Sequence, residues 1–193
     1  MAKILLLHSS LKHAQKYMEP YLQRLEVYLL NQSDCVDVRN ITTFDERTFF
    51  EYDQVVFVCF VAMDSIPSST LEIFSKLENQ PKSNTEVYAL VGCDEYEPEK
   101  CNLSIKIIEN WCRRENLKFQ GSLKVGSALF VMKTPSKYIV SNYIKNFAGK
   151  ILNHESVTLQ ISMLSDRLFM KKANKYWNKQ IRKVHKKRKK EKK

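Results

Sequence analysis

Two stretches of this sequence gather side chains capable of chemistry. The first, HSSLKHAQK (residues 8–16), sets Ser9 and Ser10 beside Lys12 and His13, where an apolar run gives way to a helical stripe. Backbone N–H groups at a helix start, with two hydroxyls, an ammonium and an imidazole, make a phosphate cradle. The same spacing also suits Ser9 and Ser10 as helix caps, with Lys12 and His13 in water. The second stretch is Gly92-Cys93-Asp94-Glu95-Tyr96, followed by Glu97 and Glu99. Its acids read either as a rim that orients a substrate or as a solvated loop before a helix, whose dipole favours them. Five cysteines (35, 59, 93, 101 and 112) contain no CxxC pair, and separations of 8 and 11 among the last three match no zinc pattern. They pair with no histidine as a nucleophile would. No export signal precedes them, so they read as free thiols of a reducing, cytoplasmic compartment. With only four glycines in 193 residues, any Gly-rich phosphate loop starts at a disadvantage.

Both stretches need elements to hold them, and the hydrophobic pattern supplies these. Residues 3–8 (KILLLH) form a short apolar run typical of a strand buried on both faces. From Ala14 to Leu29 apolar residues recur at helical spacing, with Pro20 inside the stripe marking a first turn or a bend. Val36, Val38 and Ile41 suggest an edge strand, and the polar stretch 42–53 a short helix. QVVFVCFV (54–61) is the best central strand. The loop Asp64-Ser65-Ile66-Pro67 leads to a capping-box pattern, Ser69-x-x-Glu72, and a helix through Leu77. EVYALVG (86–92) is a fourth strand, and Leu103, Ile107, Ile108, Trp111 and Cys112 mark a helix. Residues 122–126 and 128–132 supply a fifth strand region. Thr134-Pro135 opens a helix carrying Ile139, Tyr143, Phe147 and Ile151. This strand–helix alternation predicts a doubly wound five-stranded parallel sheet. After Asn153 the rhythm breaks: Val157, Leu159 and Ile161 alternate briefly, then Leu164, Leu168, Phe169, Ala173, Trp177, Ile181 and Val184 mark a last helical stripe. Trp111 and Trp177, both on such stripes, are expected to pack.

Charge divides the chain sharply. Of 32 Lys and Arg, 13 fall in residues 171–193 against a single acid, Glu191, while residues 1–170 are close to neutral. A near-neutral body of 44 % hydrophobic residues excludes wholesale disorder. Its longest apolar run, residues 55–63, is too short to span a bilayer. The basic tail predicts at most weak, nonspecific, salt-sensitive polyanion binding.

The order of elements, the first loop and the stretch FVAMDSIPSSTLEIFSKLE resemble the flavodoxin-like, NAD(P)H-dependent FMN reductase group. The second half of that group's loop after its third strand matches Asp64-Ser65-Ile66-Pro67-Ser68. The loop of Gly92 and acids, the helix ending at Trp111-Cys112, and Phe119-x-Gly121-x-Leu123-x-Val125-Gly126 are similar too, as is MKKANKYWNK near the end. The resemblance implies strand order 2-1-3-4-5 in residues 1–153 and a closing helix in the 154–183 extension, while the run of charge past the apolar stripe predicts a basic, disordered tail at 184–193. The resemblance also implies noncovalent FMN, with Ser9, Ser10, Lys12 and His13 at the phosphate. Ala62, Met63 and Asp64, with Cys93, Asp94, Glu95 and Tyr96, would flank the ring. NAD(P)H would be the electron donor to an unidentified acceptor, and a homodimer the usual assembly. No side chain need act as catalyst, since the flavin carries the redox chemistry. The sequence departs from the group at Leu11 and Lys12, where glycine is usual, and at Phe60-Val61-Ala62, which replaces Pro-Leu-Tyr. It departs again at Gly126-Ser127-Ala128. A second reading is therefore a catalytically silent flavodoxin-like binding or assembly module with a degenerate flavin pocket.

Overall fold

The two most apolar stretches, β3 (Gln54–Val61) and β4 (Glu86–Cys93), are buried at every position, as strands must be when helices cover both faces of a parallel sheet. A computed structural model describes residues 2–9, 15–33, 35–61, 65–78, 84–162 and 165–191. Around the central pair lie β1 (Ile4–His8), β2 (Val36–Asn40), β5 (Lys118–Val125) and β6 (Val157–Ile161). All neighbours run parallel, in the order β2-β1-β3-β4-β5-β6. The alternation of side chains along each strand divides the core in two. Ile4, Leu6, Val56, Val58, Leu90 and Leu123 face helices α1 (Gln15–Leu30) and α4 (Lys137–Leu152). Leu5, Leu7, Val55, Phe57, Val87 and Val91 face α2 (Ser68–Leu77), α3 (Asn102–Arg114) and a short 3-10 turn at Glu46–Glu51. Trp111 belongs to the second face, stacked on Phe74 with centroids 4.2 Å apart. All five cysteines are free thiols, four of them buried.

The architecture is the doubly wound parallel sheet expected, with one strand more. Val157, Leu159 and Ile161 lie on β6, which pairs with β5 from Gly121↔Val157 to Val125↔Ile161. Its ends are buried and Thr158 and Gln160 face water, so it is an amphipathic edge strand too short to announce itself. Gly121 permits the pairing. Its φ is +142°, and a Cβ there would stand 1.7 Å from the Val157 carbonyl oxygen.

Other boundaries move for local reasons. The fifth strand begins at Lys118, and residues 128–132 are not strand: Ser127 adopts φ +55° and ends the extended backbone. Its carbonyl then accepts from the N–H groups of Phe130 and Val131, winding the run into a buried turn. The Ser69 capping box does not form. The helix starts at Ser68 after Pro67, and the Ser69 hydroxyl is buried without a hydrogen-bond partner. Pro20 sits inside α1, so the helix passes through it at the loss of one backbone hydrogen bond.

Helix α5 (Asp166–Glu191) follows β6 and takes in most of the segment expected as a disordered basic tail; lysine and arginine are good helix formers. Leu168, Phe169, Ala173 and Tyr176 pack against the α1/α4 face of the core. Trp177, expected to pack, is instead 53 % exposed. Among the described residues, no helix is long and apolar enough to cross a membrane.

Candidate functional site

In a parallel sheet whose crossovers diverge between two neighbouring strands, the strand tips on the carboxyl side leave a crevice. Here β2 lies beyond β1 on one side and β4 beyond β3 on the other, so the divergence falls between β1 and β3. Ser9 stands at the β1 tip, buried, its N–H donated to the Val58 carbonyl of β3 at 3.1 Å. His8, just before it, is half-buried. Loss of hydration lowers its proton affinity, opposed by the Glu19 carboxylate of α1, so it favours the neutral imidazole. Ser10, Lys12, His13, Ala62, Met63 and Asp64 lie outside the described residues.

The β4 tip is described in full. Cys93, its last residue, is wholly buried. Its thiol points back into the fold, with the Glu95, Glu97 and Val125 carbonyl oxygens 3.5–3.8 Å away. A hydrogen bond with the Cys101 thiol, then burial, push its pKa far up. It is a packing thiol, with neither surface nor thiolate to offer a ring. Asp94, Glu95 and Tyr96 are half-buried at the rim. The chain after β5 latches onto this loop: Ser127 donates its N–H to the Glu95 carbonyl, and Ala128 donates to that of Cys93 at 2.8 Å. Gly126 allows the approach, since a Cβ there would meet the Tyr96 carbonyl at 2.3 Å.

Tyr96 also begins a line of aromatic rings that sequence reasoning missed. Its centroid lies 5.5 Å from Phe169 of α5, and Phe169 lies 6.0 Å from Phe130. Phe130 meets Tyr176 at 5.6 Å; the Tyr176 hydroxyl is 2.8 Å from that of Tyr17, and Tyr17 lies 5.4 Å from Phe60 at the end of β3. A hydrogen bond to the Asp166 carboxylate raises the Tyr96 pKa, and burial raises that of Tyr176. Both hydroxyls therefore stay protonated near neutral pH. The rim is thus closed on its α1/α4 side by one face of α5. The only sequence signal was the seven-residue spacing of Phe169 and Tyr176.

Three grooves lie away from this rim. One of about 510 Å³ runs between α2 and α3, one of about 450 Å³ lies along α4, and one of about 260 Å³ sits by Lys3 and Tyr52.

No protein-family model matches the sequence, and no curated protein matches it. Solved structures do resemble it. A flavodoxin of Streptococcus pneumoniae TIGR4 is 15 % identical with TM-score 0.64, over 79 % of this chain and 99 % of that one. Flavodoxin 1 of Bacillus cereus is 14 % identical with TM-score 0.65, over 80 % and 100 %. An azoreductase of Bacillus anthracis is 11 % identical with TM-score 0.59, again over 80 % and 100 %. The fold is therefore flavodoxin-like. The likeness takes in both the flavodoxins and the azoreductase and quinone reductase structures, in line with the resemblance drawn from the sequence.

Proposed function

We propose that the protein binds FMN at the carboxyl tips of β1, β3 and β4 and passes electrons from NAD(P)H to an acceptor. The observation that supports this most is the divergence of crossovers between β1 and β3, which sets Ser9 beside the β3 tip and the Tyr96 loop one strand further on. The rim has parts that suit a flavin ring. Tyr96 presents a half-buried aromatic side chain fixed by Phe169 and Asp166, and the half-buried imidazole of His8 stays neutral. In this reading Ser9, Ser10, Lys12 and His13 hold the phosphate. Ala62, Met63 and Asp64 flank the ring on one side, and Asp94, Glu95 and Tyr96 on the other. Cys93 supports the loop from below. FMN, when bound, supplies the exchange of two electrons with a nicotinamide. The chain's own residues orient the ring and narrow the access of water, and Asp94 and Glu95 place negative charge near the ring rather than at the phosphate. Purification with flavin absorbance, or uptake of added FMN followed by NAD(P)H oxidation, is the outcome expected.

A second reading, a flavodoxin-like binding module without flavin, draws on one observation. The loops after β4 and β5 are latched together, and α5 lays Phe169 and Tyr176 along the same rim. A colourless protein that takes up no FMN at micromolar concentrations decides for it.

A further inference from the structure

The outward side of α5 carries an apolar stripe left exposed by the described residues. Met170, Trp177 and Ile181 are 55 %, 53 % and 53 % exposed. On a helix advancing about 100° per residue, the three fall within an arc of about 40°. That arc is separate from the one that buries Phe169, Ala173 and Tyr176 against the core. Trp177 meets only the ring edge of Tyr176, at 5.1 Å, among the ring contacts of the described residues. Arg167, Lys171 and Arg182 lie about 60–120° round the helix from the stripe, with Lys175, Lys179 and Lys183 further round, and all six are exposed. Helix α5 holds two acids, Asp166 and Glu191, and its basic run continues to the chain end.

We infer that α5 is a docking helix for an anionic lipid surface, lying in the plane of the interface with Met170, Trp177 and Ile181 inserted among the acyl chains. A low mean hydropathy, a cationic flank and a stripe holding one tryptophan are the features by which a helix lies on a bilayer rather than spanning it. The lysines and arginines supply the complementary charge, and their long stems let the ammonium groups reach the headgroups while the stripe sinks. A second copy of this chain is the poorer occupant, because pairing two such helices would bring their basic flanks together. A nucleic acid would use the charge but leave Met170 and Ile181 in water, since recognition there relies on phosphate contacts and aromatic stacking.

The test uses the full chain and sedimentation with vesicles. The protein is expected to sediment with mixed phosphatidylcholine–phosphatidylglycerol vesicles and not with phosphatidylcholine alone. The variant Trp177→Ser/Ile181→Ser is expected to bind the mixed vesicles on the order of tenfold more weakly. Its retention on heparin should be unchanged, because every charge remains. Both side chains are exposed, so an unchanged circular dichroism melt separates this loss from misfolding. Equal vesicle binding by variant and parent would overturn the inference and leave charge alone as the attraction. So would tighter binding to poly(U) than to vesicles, weakened by the same substitutions, which would favour RNA. A concentration-dependent dimer that the substitutions dissociate, without vesicle binding, would overturn it in favour of self-association. None of these outcomes depends on whether FMN binds.

Discussion

The two ends of the sheet are built from opposite materials. At the amino end of β3, β4 and β5, a carboxylate that water barely reaches is the hub of a polar network. Glu86 accepts from Gln120 at 2.6 Å, His154 at 2.8 Å, Lys118 at 3.2 Å and Gln54 at 3.3 Å. Ser156 donates to Gln120, and Gln54 reaches the Ile151 carbonyl, so the turn between α4 and β6 is tied to three strands at once. At the carboxyl end the joining is aromatic, from Tyr96 through Phe169 and Tyr176 to Tyr17. The amino end gathers its polar groups around one buried carboxylate, with Lys118 and His154 reaching it from the surface. The carboxyl end keeps half-buried acids, a tyrosine and an imidazole at the surface. A directional network of this kind fixes geometry, whereas ring contacts tolerate small displacements, and a ligand needs the second kind of edge.

The sharpest way to break the amino end is Gly121→Val. The added side chain meets the Val157 carbonyl in a backbone conformation it rarely adopts, so we expect a loss of about 3 kcal/mol or more, read by urea denaturation. Glu86→Ala comes next. It leaves four donors facing an empty site and should cost about 2 kcal/mol in the same experiment, without altering FMN uptake. At the other end, Ser10→Asp puts a negative charge where the phosphate is proposed, and Tyr96→Ala removes the half-buried ring. Each should weaken FMN on the order of tenfold by titration while moving the denaturation midpoint far less than Glu86→Ala does. A Tyr96→Ala protein with unchanged FMN affinity would remove the ring from the site.

The pH dependence is the smallest effect. Burial pushes the Glu86 carboxyl up, but the donors from Gln120, His154, Gln54 and Lys118 outweigh it, so its pKa sits below the usual glutamate value. A carboxyl depressed in the folded state adds stability that is fully present above the unfolded value, about 4.3, and is lost as pH falls through the folded one. Thermal melts should therefore drop on acidification below that range. Glu86→Gln, already uncharged, should show a shallower drop.

How legible these edges were depended on pattern length. The central strands were readable because eight consecutive buried positions leave no competing periodicity, and β3 ran from Gln54 to Val61 as expected. Strand β6 was not, since three alternating apolar residues in five fit a loop as well as an edge strand. The residues proposed for the phosphate, Ser9, Ser10, Lys12 and His13, were chosen by type and spacing, and only Ser9 is among the described residues; the aromatic rim gave no such signal. Tyr176 and Trp177 are adjacent on one helix, and only the packing of α5 decides that the first turns inward and the second outward. The Glu86 network was invisible for a related reason. Gln54, Glu86, Gln120 and His154 are scattered across a hundred residues, and only the register of β3, β4 and β5 assembles them.

A sheet in which every neighbour is parallel has a consequence for synthesis. No pair of adjacent strands can close as a hairpin, so each pairing waits for a helical crossover to emerge from the ribosome. Until residues 157–161 follow, the outer backbone of β5 remains an open template for another nascent copy. Strand β6 thus moves the open edge from the eight-residue β5 to a five-residue strand, a shorter template for intermolecular pairing.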